Sequence, residues 1–307
     1  MVSLICSLII ILRVSRGQSK YGKALRFFLK TIWPFLPGNS LKKTKICSKI
    51  WSFLGGASLV SLRSNQGEDI VIPINCFEFV LQGVDYKRFG LYNFYPIAKK
   101  YITKNSIVID VGSSWGEEII FLSRLAGEKG EVHCFEINPL TFEALKLNIE
   151  RNSLNNVFAH KVAISNNEGY FNFKKFEEID KDLEENKLNL KDTVPMTTLD
   201  SFFKDRYKEI SFIKVDTDGS DMEVIKGAKT IFKEANPACI VEYLPKFNYS
   251  GLSGSDVLEK YIEMGFDLNK ITIGTEKIKK KDINKYLKDY SLREEEIAHD
   301  ILLKKIK

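Results

Sequence analysis

Acidic residues are missing from the first 67 positions; Glu68 is the first. The same stretch carries eleven Lys or Arg, so its charge calls for an anionic partner or a fully solvated face. The other 240 residues hold 35 basic and 40 acidic side chains, so the net positive charge belongs to the N-terminal segment. Paired cysteines are lacking too. Cys6, Cys47, Cys76, Cys134 and Cys239 are scattered, odd in number and without a Cys-x-x-Cys pair. That pattern excludes a disulfide framework and a thiolate zinc site and suits a reducing cytoplasm. Cys134 and Cys239 fall in apolar runs and read as core thiols. No long hydrophobic run occurs. Val2 to Leu12 would rise only about 16 Å as a helix, half the hydrocarbon thickness of a bilayer. No positive charge precedes it and no small-residue cleavage site follows, which argues against a signal peptide. Internal repeats and low-complexity tracts are absent.

The length of 307 residues and a hydrophobic fraction of 44% allow one large core or two small ones. Three segments are expected: a basic helical arm over 1–56, a β lead-in with a helix cap over 57–104, and the main domain over 105–307. In the arm, Lys23, Arg26 and Lys30 are mixed with Leu25, Phe27, Phe28 and Trp33; Lys42, Lys43, Lys45 and Lys49 follow, with Trp51 and Phe53 nearby. Two readings stay open: an arm lying on an anionic membrane surface, at the inner face for a cytoplasmic protein, or one packed on the main domain with solvated lysines. Nucleic acid is disfavoured, because no binding motif accompanies the charge. The lead-in is expected as short strands at Ser58–Arg63, Asp69–Ile74 and Phe77–Leu81, then a helix near Leu91–Tyr101. Tyr86, Arg88, Tyr92 and Tyr95 either line the mouth of a site or serve as packing residues.

The stretch Val108-Ile109-Asp110-Val111-Gly112-Ser113-Ser114-Trp115-Gly116-Glu117 organises the rest. A buried strand over 106–111 would end in a tight turn, with Gly112 and Gly116 giving the backbone its freedom, and open a helix from about Gly116 to Ala126. The amides at that helix start can receive a polar or anionic group. A second strand, Glu131–Phe135, ends in Glu136, 20 residues beyond Gly116. A dinucleotide-type unit places there the acid that binds both ribose hydroxyls. The third glycine of that fingerprint is missing, so the turn is closer to one holding S-adenosylmethionine, which has no pyrophosphate. Asp110, Gly112, Ser113, Ser114, Gly116 and Glu136 are therefore candidate cofactor contacts.

Downstream, Pro139 opens a helix to about Asn152, and a third strand spans Val157–Ile164. An apolar alternation follows at Tyr170, Phe171 and Phe173, and the charged stretch 174–193 reads as a mobile loop or short helix, either a lid over substrate or solvated surface. A short helix runs from Thr198 to about Tyr207. The fourth strand, Ile210–Val215, leads into Asp216-Thr217-Asp218-Gly219-Ser220-Asp221 and a helix over Met222–Glu234. The fifth, Ala238–Val241, ends in Glu242. Parallel strands align their ends, so Asp216, Asp218 and Glu242 should converge near Asp110 and Glu136. Like charges this close raise pKa values or call for a cation. A helix at Asp256–Met264, a strand at Phe266–Ile273, a basic surface at Lys277–Tyr290 and a final strand from His299 complete the chain.

These segments resemble the FkbM-type methyltransferase family, which depends on S-adenosylmethionine. The matching stretches are Val108–Gly116, Phe135–Pro139, Leu147-Asn148 with Asn152, Ala163–Ser165, Thr198–Asp200, Ile213–Asp216 with Gly219, Glu223–Ala228 and Pro237–Glu242. The family usually has valine and glutamate where Thr217 and Asp218 stand, and aspartate at Asn166. The resemblance implies an α/β, Rossmann-like class I methyltransferase sheet, mostly parallel, its last strand antiparallel beside the fifth. It adds Ile137 and Ala163 to the cofactor contacts. It implies O-methylation of a hydroxyl on a glycan, lipid-linked or small-molecule acceptor, with Asp216, Asp218 and Glu242 as the catalytic set and Asp216 or Asp218 as proton acceptor. Some catechol-type methyltransferases place metal ligands at the same strand ends. Oxygen ligands would favour magnesium, and the metal is left unassigned. Two alternatives stand beside this. Gly112 to Gly116 also matches a serine nucleophile elbow, with Ser114, Asp216 and His299 in hydrolase order. The other is a non-catalytic, membrane-associated protein on a methyltransferase fold.

Overall fold

The computed structural model describes residues 59–64, 67–73, 91–172, 193–243, 252–272, 274–283 and 299–306. The arm over 1–56, the strand expected at Phe77–Leu81, Tyr86, Arg88, the charged stretch 174–192 and the side chains of Tyr92 and His299 lie outside the described residues. The strands are β1 (Leu59–Arg63), β2 (Asp69–Pro73), β3 (Ile107–Val111), β4 (Glu131–Phe135), β5 (Val157–His160), β6 (Ala163–Ile164), β7 (Gly169–Asn172), β8 (Thr193–Thr197), β9 (Ile210–Val215), β10 (Ala238–Tyr243), β11 (Phe266–Thr272), β12 (Gly274–Ile278) and β13 (His299–Lys305). The helices are α1 (Leu91–Tyr101), α2 (Ile119–Ala126), α3 (Pro139–Arg151), α4 (Leu199–Phe202), α5 (Asp221–Lys226), α6 (Lys229–Glu234) and α7 (Gly254–Glu263).

The chain divides into two compact units, one of residues 1–90 with 139–154, the other of 91–138 with 155–307. In the first, β1 and β2 form an antiparallel hairpin that sets Leu59 opposite Pro73 and Arg63 opposite Asp69. Helix α3 closes its edge with two amide side chains one turn apart. The Val71 N–H donates to Asn148 Oδ1 at 2.6 Å, and Asn148 Nδ2 returns a bond to the Val71 carbonyl at 2.9 Å. Asn152 Nδ2 donates to the Asp69 carbonyl at 2.9 Å. Asn148 is fully buried, so its amide does for β2 what a neighbouring strand would.

The second unit is built on an eight-stranded sheet in the order β12-β11-β13-β10-β9-β3-β4-β5. Strands β5, β4, β3, β9 and β10 are parallel. Strand β13 lies antiparallel between β10 and β11, as expected of the final strand. Ile107, Val108, Ile109 and Val111 of β3 and Phe212, Ile213 and Val215 of β9 are all buried, as strands covered on both faces require.

Several boundaries differ from expectation. The third strand stops at His160; Ala163–Ile164 joins β8 and β7 in a separate three-stranded sheet. The helix after the glycine turn begins at Ile119, because residues 114–118 are spent in turns and bends. The helix after Asp221 is two helices, α5 and α6. Gly227 ends the first where a Cβ would lie 2.0 Å from the Ser165 carbonyl oxygen. Helix α4 is a single turn capped by Thr198, whose Oγ1 accepts the Ser201 N–H, and a 3-10 turn follows at Tyr207–Glu209. The expected basic surface begins inside a strand: Lys277 and Ile278 belong to β12, which pairs with β11 at the edge of the sheet. Tyr95 packs edge-on against Phe121 at 5.5 Å between ring centroids, so it serves packing.

Candidate functional site

The turn after β3 binds three strand ends together. Gly112 has φ +81°, and a Cβ on it would lie 1.8 Å from the Asp216 carbonyl oxygen. Asp216 in turn donates its N–H to the Val111 carbonyl at 2.9 Å, fastening β9 to β3. The N–H groups of Gly112 and Ser113 both donate to the Phe135 carbonyl, at 2.9 and 3.1 Å, which fastens the same turn to β4. Ser113 Oγ donates to the Asp110 carbonyl at 2.8 Å. Ser114 and Asp218 sit at φ +50° and +51°, an unfavoured region for side-chain-bearing residues that clusters at functional turns.

Acids gather at these ends. Asp110 is wholly buried, and neither carboxylate oxygen has a hydrogen-bond partner among the described residues. Burial pushes its pKa up, and Lys214 pulls against that shift. Glu136 is buried at the end of β4; its N–H donates to the His160 carbonyl at 3.1 Å and its Oε1 accepts the Asn138 N–H at 2.7 Å. Lys214 on β9 and Asp216, the residue just past its end, are two apart along extended chain and so share a face. Lys214 Nζ lies 3.0 Å from Asp216 Oδ2 and 2.9 Å from Glu118 Oε1. Although burial opposes its charge, Glu118, Asp216, Asp110 and Glu117 together hold the lysine well above its ordinary pKa.

Glu242, at the end of β10, is pushed up to about 9 by burial and then by Asp216, Asp218 and Asp221. Asp221 is raised to about 7, by burial first, yet its Oδ1 and Oδ2 accept the Thr217 and Gly219 N–H groups, each at 3.2 Å. It therefore pins the loop that carries Asp218. Asp300 stands opposite Glu242 across the β10–β13 ladder, and burial raises it to about 6.

Asp110, Gly112, Ser113, Ser114, Gly116, Asp216, Asp218 and Glu242 thus belong to one rim, with Glu136 and Ile137 at the adjoining end of β4. Asp218 is exposed. Ala163 lies in the small sheet, opposite Met196, rather than at an end of the large one. Asn166, where the family usually has aspartate, donates to Glu223 Oε2. Sequence reasoning missed Lys214, Glu118 and Asp300, and it set Asp221 among the crowded carboxylates after β9 without giving it a role. A lysine inside the apolar run Ile210–Val215 was the available signal for the first. The positive charge demanded by the acidic rim comes from this lysine. Among the described residues no three His, Cys, Asp or Glu side chains are arranged to hold a metal ion. His133 and His160 share a hydrogen bond at 3.0 Å and His133 pairs with Glu131 at 2.8 Å; the His160 ring stacks on Phe135 and meets Phe202 edge-on, and the His133 ring meets Phe203 edge-on.

No curated protein matches the sequence. Among solved structures, the chain is similar to methyltransferase FkbM from Methylobacillus flagellatus KT, with 12% identity, TM-score 0.43, and 87% of this chain and 71% of that one covered. It is similar to an SAM-dependent O-methyltransferase from Thermotoga maritima, with 12% identity, TM-score 0.41, and 83% and 81% covered. It is also similar to an SAM dependent methyltransferase from Aquifex aeolicus, with 14% identity, TM-score 0.40, and 72% and 94% covered. The family model of the methyltransferase FkbM domain matches residues 106–268, just over half of the chain. The chain belongs to the FkbM methyltransferase domain family.

Proposed function

We propose that this protein is an S-adenosylmethionine-dependent methyltransferase acting on a hydroxyl of a glycan, lipid-linked or small-molecule acceptor. One observation carries the reading beyond family membership. Of six buried side-chain atoms without a hydrogen-bond partner among the described residues, five stand at the ends of β3, β9 and β10 or at the start of α2. They are Asp110 Oδ1 and Oδ2, Glu118 Oε2, Thr217 Oγ1 and Glu242 Oε2. Leaving buried polar atoms unpaired costs about 1–3 kcal/mol each, and such a cluster suits a ligand that satisfies them. An acid-rich crevice also suits a sulfonium cation.

When bound, S-adenosylmethionine supplies an activated methyl whose C–S bond electrons leave with the sulfur. Glu136 is proposed to grip the ribose hydroxyls, and the glycine turn to let the backbone approach the donor. Asp216, whose side chain is 32% exposed, reaches solvent and takes the proton of the acceptor hydroxyl as its oxygen bonds to the methyl carbon. Glu242, protonated at neutral pH, offers a hydrogen bond rather than a charge. Alignment supplies most of the remaining rate, because the donor is already activated.

Calorimetry with S-adenosylmethionine tests the donor. Transfer of labelled methyl to a fractionated cell extract, followed by product identification, tests the acceptor class. An N- or C-methylated product would refute the hydroxyl assignment. No helix among the described residues is long and apolar enough to cross a membrane. The basic arm over 1–56 is proposed as a peripheral contact to an anionic membrane at its cytoplasmic face.

A further inference from the structure

The strand end that presents Asp216 is braced from behind. Lys214 is 4% exposed and Glu118 7%, so their attraction escapes the solvent screening that weakens surface pairs. Lys214 Nζ stands 3.0 Å from Asp216 Oδ2 and 2.9 Å from Glu118 Oε1. Glu118 caps no amide with its side chain at the start of α2; its Oε1 is spent on the lysine instead. An ammonium buried in a parallel strand is expensive to keep unless its partners are fixed. A carboxylate held at one oxygen by a fixed ammonium keeps one orientation toward the crevice.

We infer that Lys214, anchored by Glu118, is a positioning residue for methyl transfer: it fixes Asp216 in the orientation that accepts the hydroxyl proton. This rests on the reading of Asp216 given above. The rival account is an ion pair that stabilises the fold and leaves the reaction untouched. The two differ in whether Lys214 acts through Asp216.

The test compares D216N, K214M, K214R, K214M/D216N and K214M/E118Q in the full chain. Three quantities are measured for each: the rate of labelled methyl transfer from S-adenosylmethionine to an acceptor-containing extract fraction, the calorimetric Kd for S-adenosylmethionine, and the melting temperature. D216N should lower transfer by about 100-fold and K214M by about 30-fold, with donor Kd changed by less than about threefold. K214M/D216N should be no slower than D216N alone, since a residue acting through Asp216 has nothing left to position. K214R should retain about a tenth of the parent rate or more. K214M/E118Q removes both buried charges together, so it should fold even where K214M does not, and should transfer as slowly as K214M. Parent-like transfer by K214M/E118Q would overturn the inference, as would losses that multiply in K214M/D216N. Full transfer by D216N, or no donor binding by the unaltered chain, would instead overturn the reading of the site.

Discussion

At Gly112, a Cβ would sit 1.8 Å from the Asp216 carbonyl oxygen at a backbone φ of +81°. Neither the turn nor β9 can yield, because the Asp216 N–H is bonded back to Val111. Gly112→Ala is therefore expected to cost at least about 3 kcal/mol, read as a fall in melting temperature or as failure to fold. Glu136→Ala removes the proposed ribose contact from the end of β4. It should weaken S-adenosylmethionine binding by about 10- to 100-fold in calorimetry. The sheet should survive, because β4 keeps its backbone bonds to β3 and β5. Glu242 has its pKa raised from 4.5 to about 9 in the folded protein, chiefly by burial. The native state then keeps a proton that the unfolded chain releases, so this contribution is complete below about pH 4.5 and is lost as pH rises toward 9. Glu242→Gln cannot ionise, and its melting temperature should gain on the parent by about a few degrees between pH 5 and pH 8. A difference that does not change with pH would count against the assignment.

Among the elements, the parallel core was readable because its strands are short apolar runs ending in Gly or acid, as in Ile107–Val111 and Ile210–Val215. The acids at those ends were readable for the same reason: parallel alignment brings Asp110, Asp216 and Glu242 to one rim. What stayed hidden depends on partners far along the chain. Strand β8 contains Pro195, which cannot donate to a ladder, and one of its partners is a two-residue strand. Helix α5 ends at Gly227 because of the Ser165 carbonyl, 62 positions away in sequence. The Lys214–Glu118 pair joins a strand to a turn nearly a hundred residues earlier. Asn148 belongs to this class too, since only the fold reveals that its amide completes the edge of β2. Asn148→Ala is expected to cost about 2–4 kcal/mol by stranding two buried backbone groups. Amide exchange at Val71 should accelerate more than at Val108 in β3. Equal acceleration at both would mean that the bond pair has no local role.

For the molecule as a whole, charge is divided between a basic N-terminal segment and a slightly acidic remainder. The segment is proposed to hold the enzyme at an anionic surface while the acidic crevice takes the cationic donor. Sedimentation with anionic liposomes should be strong at low salt and lost when residues 1–50 are removed; equal sedimentation of the truncated chain would refute the membrane role. The central claim is that the ends of β3, β4 and β9 form the donor site. A crystal structure of the S-adenosylhomocysteine complex tests it most directly. The nucleoside should lie over the Gly112 turn, with a ribose hydroxyl within hydrogen-bond distance of Glu136 and the sulfur facing Asp216. A nucleoside bound elsewhere, or Glu136 turned away from the ribose, would contradict it.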